Sequence, residues 1–117
     1  MLKLFRGSHG YGDGEQRRDF VYVKDTVDIK IWFLHNQKSG IFNVGTGKSR
    51  SFNDVANAVI DFYESGHIEY IDFPDGLEKQ YQAFTEADMT NLKTIGYAKD
   101  ATELEEGVKQ YLSFLNR

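Results

Sequence analysis

A planar guanidinium can grip a diphosphate with two parallel hydrogen bonds, which lysine cannot do. Arg18 is placed to offer such a grip. It opens the run Arg18-Asp19-Phe20-Val21-Tyr22-Val23-Lys24-Asp25, a short β pattern that leads directly into a helix start. Taken by residue type alone, Arg18 reads first as a surface arginine paired with a carboxylate such as Asp19, and the motif around it turns the reading toward a diphosphate contact. A second candidate for anion chemistry is Gly45-Thr46-Gly47-Lys48-Ser49. A P-loop would need a glycine five positions before Gly47, where Phe42 stands. A dinucleotide fingerprint would need a small residue where Arg50 stands. The segment therefore reads as a tight exit from a buried strand. A phosphate contact at the helix start marked by Ser51 is the alternative.

Other chemistry is thin. His9, His35 and His67 share no metal-ligand spacing, and there is no cysteine beside them. No carboxylate pair is set for acid–base work, and Glu103, Glu105 and Glu106 read as a solvated helix face. Ser49 and Ser51 lack the context of a nucleophile elbow. There is no Tyr-x-x-x-Lys pair and no glycine-rich strand-to-helix turn suited to a pyrophosphate. Neither a catalytic residue nor a metal ligand is expected in these 117 residues. Trp32 with Phe33 reads as helix packing.

The elements that would position these residues follow from pattern. Residues 2–5 alternate as a short strand, and a flexible loop holding Gly7, Gly10, Gly12 and Gly14 follows. Residues 18–23 alternate as a second strand. Four helix starts then place a small polar cap three positions before an acid: Asp25 with Asp28, Ser51 with Asp54, Thr85 with Asp88, Thr102 with Glu105. Apolar faces support the helices: Val27, Ile31 and Leu34; Val55, Val59 and Tyr63; Leu92 and Ile95; Leu104, Val108, Tyr111 and Leu115. Gly40, Gly66 and Gly96 read as the first three helix stops. Residues 40–44 suit a strand buried on both faces of a parallel sheet. Residues 68–73 form another strand, stopped by Pro74. The expected order is β-loop-β-α-β-α-β-loop-α-α.

Composition bounds the rest. The chain has room for one domain. Its 40% hydrophobic and 15% aromatic content fit a folded chain. A net charge of -4 argues against nucleic acid as a partner. The absence of cysteine excludes disulfides and thiolate chemistry. No apolar run approaches the roughly 20 residues of a membrane helix. No signal peptide is seen, and a chain that opens inside a strand is expected to be part of something longer.

The Arg-Asp-Phe run and Ile41-Phe42-Asn43-Val44-Gly45-Thr46-Gly47 together resemble the extended short-chain dehydrogenase/reductases that act on nucleotide sugars. Ile68-Glu69-Tyr70-Ile71-Asp72-Phe73-Pro74-Asp75, Tyr81-Gln82-Ala83-Phe84-Thr85-Glu86-Ala87-Asp88 and Glu106-Gly107-Val108-Lys109-Gln110-Tyr111-Leu112 narrow the resemblance. They are similar to the C-terminal part of the ADP-L-glycero-D-manno-heptose 6-epimerase family, over essentially the whole chain. The glycine loop between Ser8 and Arg18 is longer than the family pattern. The resemblance implies an α/β fold: the substrate-binding portion, with the strand at 41–44 belonging to the edge of the Rossmann sheet. It implies a cytoplasmic isomerase of lipopolysaccharide precursor synthesis, homo-oligomeric at full length. NADP would be bound by an N-terminal half that also carries the catalytic pair, so this fragment is expected to hold no cofactor and to be inactive alone. It further implies that Phe5, Arg6, Gly7, Ser8, Arg18 and Tyr81 contact the ADP-sugar. A UDP- or dTDP-sugar epimerase or dehydratase, or a non-catalytic truncated module, are the competing readings.

Overall fold

The computed structural model describes residues 1–117. It contains four short strands and five helices, so the α/β class holds. Strand β1 (Leu2–Phe5) pairs in parallel with β4 (Ile68–Ile71), Phe5 opposite Ile71. Strand β2 (Arg17–Arg18) pairs antiparallel with β3 (Arg50–Ser51), Arg18 opposite Arg50. Between and after them run α1 (Val23–His35), α2 (Phe52–Tyr63), α3 (Leu77–Gln80), α4 (Thr90–Thr94) and α5 (Leu104–Leu115).

Several expectations are corrected. The strand expected over 18–23 is instead Arg17–Arg18, because β3 pairs with those two residues only and α1 already begins at Val23. Of the four expected caps, only Ser51 acts as one. Its Oγ accepts from the Asp54 amide at 3.0 Å, and the Asp54 carboxylate accepts from the Ser51 amide at 3.1 Å. Asp25 lies inside the first turn of α1, buried, and accepts from the amide and hydroxyl of Thr102 at 2.7 and 2.8 Å. Two residues expected to start separate helices thus join those helices to each other. Thr85 starts no helix either. Its amide donates to the Arg17 carbonyl at 3.1 Å. Helix α4 begins five residues later, where Asp88 accepts from the amide and hydroxyl of Thr90.

Residues 40–44 form no strand here, and Ile41 is 95% exposed. A strand exists only through hydrogen bonds to a neighbour, and no other segment of the chain pairs with this one. The face Val27, Ile31 and Leu34 of α1 is likewise open, with Leu34 80% exposed. The apolar core is accordingly small: Ile29, Ala56, Ala58 and Leu92. Helices α2 and α5 pack together, and Gly107 of α5 lets the Tyr22 side chain approach to within contact distance of where a Cβ would sit. Arg50 ties this layer down by binding Asp54 at 3.1 Å and the Glu105 carboxylate. Tyr97 packs edge-on against Trp32, with ring centroids 5.6 Å apart, just after Gly96 closes α4 in a left-handed conformation.

The molecule is a slab of 47 × 38 × 18 Å with a radius of gyration of 16.6 Å. A compact chain of this length has about 13 Å. Its accessible surface, 8028 Å², exceeds the roughly 6,500 Å² expected at 13.5 kDa.

Candidate functional site

Two strand pairs converge on one aromatic cluster. The β1–β4 pair brings Phe5 and Phe73 into a stack with ring centroids 4.4 Å apart. Tyr81, just beyond α3, closes on both rings edge-on, at 5.5 Å from Phe5 and 5.0 Å from Phe73. The β2–β3 pair supplies the other side. The chain leaves β3 into Phe52, the first residue of α2, whose ring lies 6.3 Å from Tyr81. Arg18 caps the cluster. Its Cζ sits 5.1 Å from the centre of the Tyr81 ring and 5.9 Å from that of Phe52.

The guanidinium is therefore held against two aromatic rings rather than by an ion pair. Such contacts contribute about 0.5–1 kcal/mol at an accessible site. Nη1 of Arg18 donates to Gln82 Oε1 at 3.3 Å, and no carboxylate lies within salt-bridge distance. A guanidinium has five N–H donors, so most of its capacity is left without a partner in the chain. The surface pairing with Asp19 does not occur. Asp19 accepts from the Thr46 hydroxyl at 2.6 Å and amide at 2.9 Å, the Gly47 amide at 2.9 Å and the Ala87 amide at 3.1 Å. Burial by itself would raise the pKa of Asp19. The bonds from Thr46, Ala87 and Gly47 outweigh it and hold the carboxyl below its usual range. Arg17 points elsewhere, donating to Ser49 Oγ at 3.0 Å and the Ser49 carbonyl at 2.7 Å.

Of the six residues implied as substrate contacts, Phe5, Arg18 and Tyr81 come together. Arg6 is drawn to Asp72 at 3.1 Å and Asp13 at 3.9 Å. Gly7 donates its amide to Asp13 at 2.8 Å, and a Cβ there would meet the Tyr11 carbonyl oxygen at 2.2 Å. Ser8 is buried, its hydroxyl accepting from Gln16 at 3.2 Å. Gln16 also donates to the Arg6 carbonyl at 2.9 Å, so it braces this loop from beneath. Phe52, Phe73 and Gln82 belong to the cluster but were not singled out. Phe52 read as a helix residue behind its cap and Phe73 as a strand end before proline.

The residues present do not fit a dinucleotide. The amides of Thr46 and Gly47, in the segment that most resembles a phosphate loop, are taken by Asp19. The first turn of α2 is closed by Ser51 and Asp54. A pyrophosphate would have to displace the chain's own carboxylates. No three His, Asp or Glu side chains stand together as a metal-binding group.

Residues 8–45 match the NAD dependent epimerase/dehydratase family. Among solved structures, the chain is similar to a UDP-N-acetylglucosamine 4-epimerase from Methanobrevibacter ruminantium in complex with UDP-N-acetylmuramic acid. That match has 32% identity and a TM-score of 0.75 over 91% of this chain and 33% of that one. It is similar to the ADP-L-glycero-D-manno-heptose-6-epimerase of Helicobacter pylori, with 29% identity and a TM-score of 0.77 over 98% of this chain and 33% of that one. The UDP-glucose 4-epimerase of Thermotoga maritima, solved with UDP-glucose, gives 25% identity and a TM-score of 0.77 over 98% of this chain and 34% of that one. The chain is an α/β fragment that matches one part of these extended short-chain dehydrogenase/reductase structures. The chain spans about a third of the length of these structures. No helix is long and apolar enough to cross a membrane.

Proposed function

We propose that these residues are the nucleotide-sugar-binding portion of an epimerase acting on an ADP-heptose, the C-terminal part of an NADP-dependent isomerase that supplies lipopolysaccharide core synthesis. The observation that carries the reading is Arg18. Its guanidinium lies over Tyr81 with one hydrogen bond to Gln82 and no carboxylate partner, an arrangement that suits an incoming diphosphate. Phe5 and Tyr81 would flank the ligand, with Arg6, Gly7 and Ser8 forming the wall of the loop beside it. NADP and the proton-transfer groups would belong to a part of the enzyme other than these 117 residues. That part is also the partner that would cover residues 40–44 and the open face of α1.

The similarity at 32% identity to a UDP-sugar epimerase favours a second reading, the same site serving a UDP-sugar. Titration of the chain with ADP-, UDP- and dTDP-sugars, followed by heteronuclear NMR, separates the two. Tightest binding of the ADP-sugar, with shifts at Arg18, Gln82 and Tyr81, is the expected result. Tightest binding of a UDP-sugar would transfer the assignment to the second reading. Binding of none would overturn both.

A further inference from the structure

We infer that Asp19 is a positioning residue for the Arg18–Tyr81 pair, its carboxylate locking residues 83–87 and the loop at 45–48 against the strand that carries Arg18. The inference rests on the proposed reading of Arg18 as the diphosphate ligand. Residues 17–19 and 83–87 are joined by successive hydrogen bonds. The Arg17 amide donates to the Ala83 carbonyl at 2.7 Å, and the Thr85 amide to the Arg17 carbonyl at 3.1 Å. The Asp19 amide then donates to Thr85 Oγ1 at 3.4 Å, and the Ala87 amide to Asp19 Oδ2 at 3.1 Å. Tyr81 and Gln82 immediately precede this zipper. Whatever holds it sets where the Tyr81 ring and the Gln82 amide lie beneath the guanidinium.

The main-chain bonds alone would leave the zipper on two contacts at an exposed edge. Asp19 extends it and anchors it to a third segment through Thr46 and Gly47. The three segments meet too closely for any side chain between them. A Cβ at Gly45 would lie 2.7 Å from both Asp19 Oδ2 and the Ala87 methyl. Only a carboxylate suits this place. Four donors converge on its two oxygens, whereas an asparagine amide would turn N–H groups toward N–H groups.

A purely structural role for Asp19 makes a different forecast, and a double-mutant cycle distinguishes them. The 117-residue chain is titrated with ADP and with an ADP-sugar by NMR, as wild type, Arg18→Ala, Asp19→Asn and the double variant. Arg18→Ala is expected to weaken binding at least about tenfold, and Asp19→Asn about three- to tenfold. In the Arg18→Ala background, Asp19→Asn should cost less than half of the fold-loss it causes in the wild type, because the share of its effect that passes through Arg18 is gone and only the share through Tyr81 remains. An equal loss in both backgrounds, or no loss at all, overturns the positioning role while leaving Arg18 assigned. No effect of Arg18→Ala, or no binding by the wild type, overturns the reading of the site and the inference with it. Should Asp19→Asn not fold, Thr46→Val removes the shortest bond to the carboxylate and keeps the charge. About a twofold loss that shrinks in the Arg18→Ala background supports the inference, and a loss independent of Arg18 refutes it.

Discussion

Arg17 and Arg18 are neighbours with opposite tasks, and exchanging each for alanine should split stability from binding. Arg17 is half-buried and makes two charge-assisted hydrogen bonds to Ser49, through Nε and Nη2. Bonds to charged groups contribute about 1.5–3 kcal/mol each where water is excluded. Partial exposure reduces this, so Arg17→Ala should cost about 2 kcal/mol in total. A domain of this size loses about 4 °C of melting temperature per kcal/mol, which places the drop near 8 °C. Arg18 has ring contacts and one long bond to an exposed glutamine, together about 0.5–1 kcal/mol, or roughly 2–4 °C. Its weight should fall on the ligand. Losing a two-pronged diphosphate contact raises Kd by about one to three powers of ten, and Arg18→Lys recovers part of it by keeping the charge without the fork. Arg17→Ala should change Kd less than about threefold, because its side chain is committed to Ser49 on the other side of the strand. Thermal melts followed by circular dichroism and NMR titration with an ADP-sugar measure both quantities on the same samples. The reasoning fails if Arg18→Ala lowers the melting temperature more than Arg17→Ala does, or if the two variants lose equal affinity.

Ser51→Ala should lower stability by about 1 kcal/mol, read from denaturant unfolding, since it removes the only side-chain cap that closes a helix start; an unchanged midpoint would show the box to be idle. Acid should destabilise the fold. Asp19, Asp54 and Glu105 all titrate below their ordinary values: Asp19 and Asp54 because hydrogen bonds outweigh their burial, Glu105 chiefly because of its bond from Arg50. Carboxylates with lowered pKa stabilise the fold above their unfolded values, near pH 4, and that stability drains away as pH falls through the folded values. A melting temperature that stays flat from pH 5 to pH 3 would contradict this. Calorimetry should detect no saturable micromolar NADP binding to the chain, because the amides that might take a pyrophosphate already serve Asp19 and Asp54; a well-formed isotherm would refute that. The isolated chain should bind an apolar dye and self-associate through Val27, Ile31, Leu34 and Ile41, all exposed; a monodisperse monomer dark to the dye would show that face to be innocuous.

Sequence pattern located the helices better than it explained them. Helices α1, α2 and α5 lie where apolar spacing put them, β1 where alternation did, and β4 inside the stretch 68–73 expected as a strand. The caps were the weaker inference. A short polar side chain near a helix start can bond to its own first turn or to another segment, and only packing decides. For Asp25 and Thr102 the nearer partner was each other, across 77 positions of sequence. Residues 40–44 show the converse limit. Their apolar character marks a segment fit for burial on both faces, but a β ladder also needs a neighbour, and no other segment of this chain lies alongside.

The site follows the same division. Arg18 could be singled out because its chemistry is intrinsic to the guanidinium, and Tyr81 only because the family resemblance implies a substrate contact there. Phe52, Phe73 and Gln82 could not, since an aromatic or amide side chain acquires a role only from what faces it. Asp19 is the sharpest case. It stands beside Arg18 in sequence, and the simplest electrostatic expectation pairs the two. The structure gives Asp19 four hydrogen-bond donors from two other segments, three of them backbone amides. Arg18 is thereby left without an intramolecular counter-ion. A guanidinium already neutralised by its neighbour would have to surrender that pair before meeting a diphosphate. One held against aromatic rings keeps its charge and its fork free, and loses only about 0.5–1 kcal/mol of cation–π contact if it moves. The arrangement that withholds Asp19 from Arg18 is therefore what leaves Arg18 suited to an external anion.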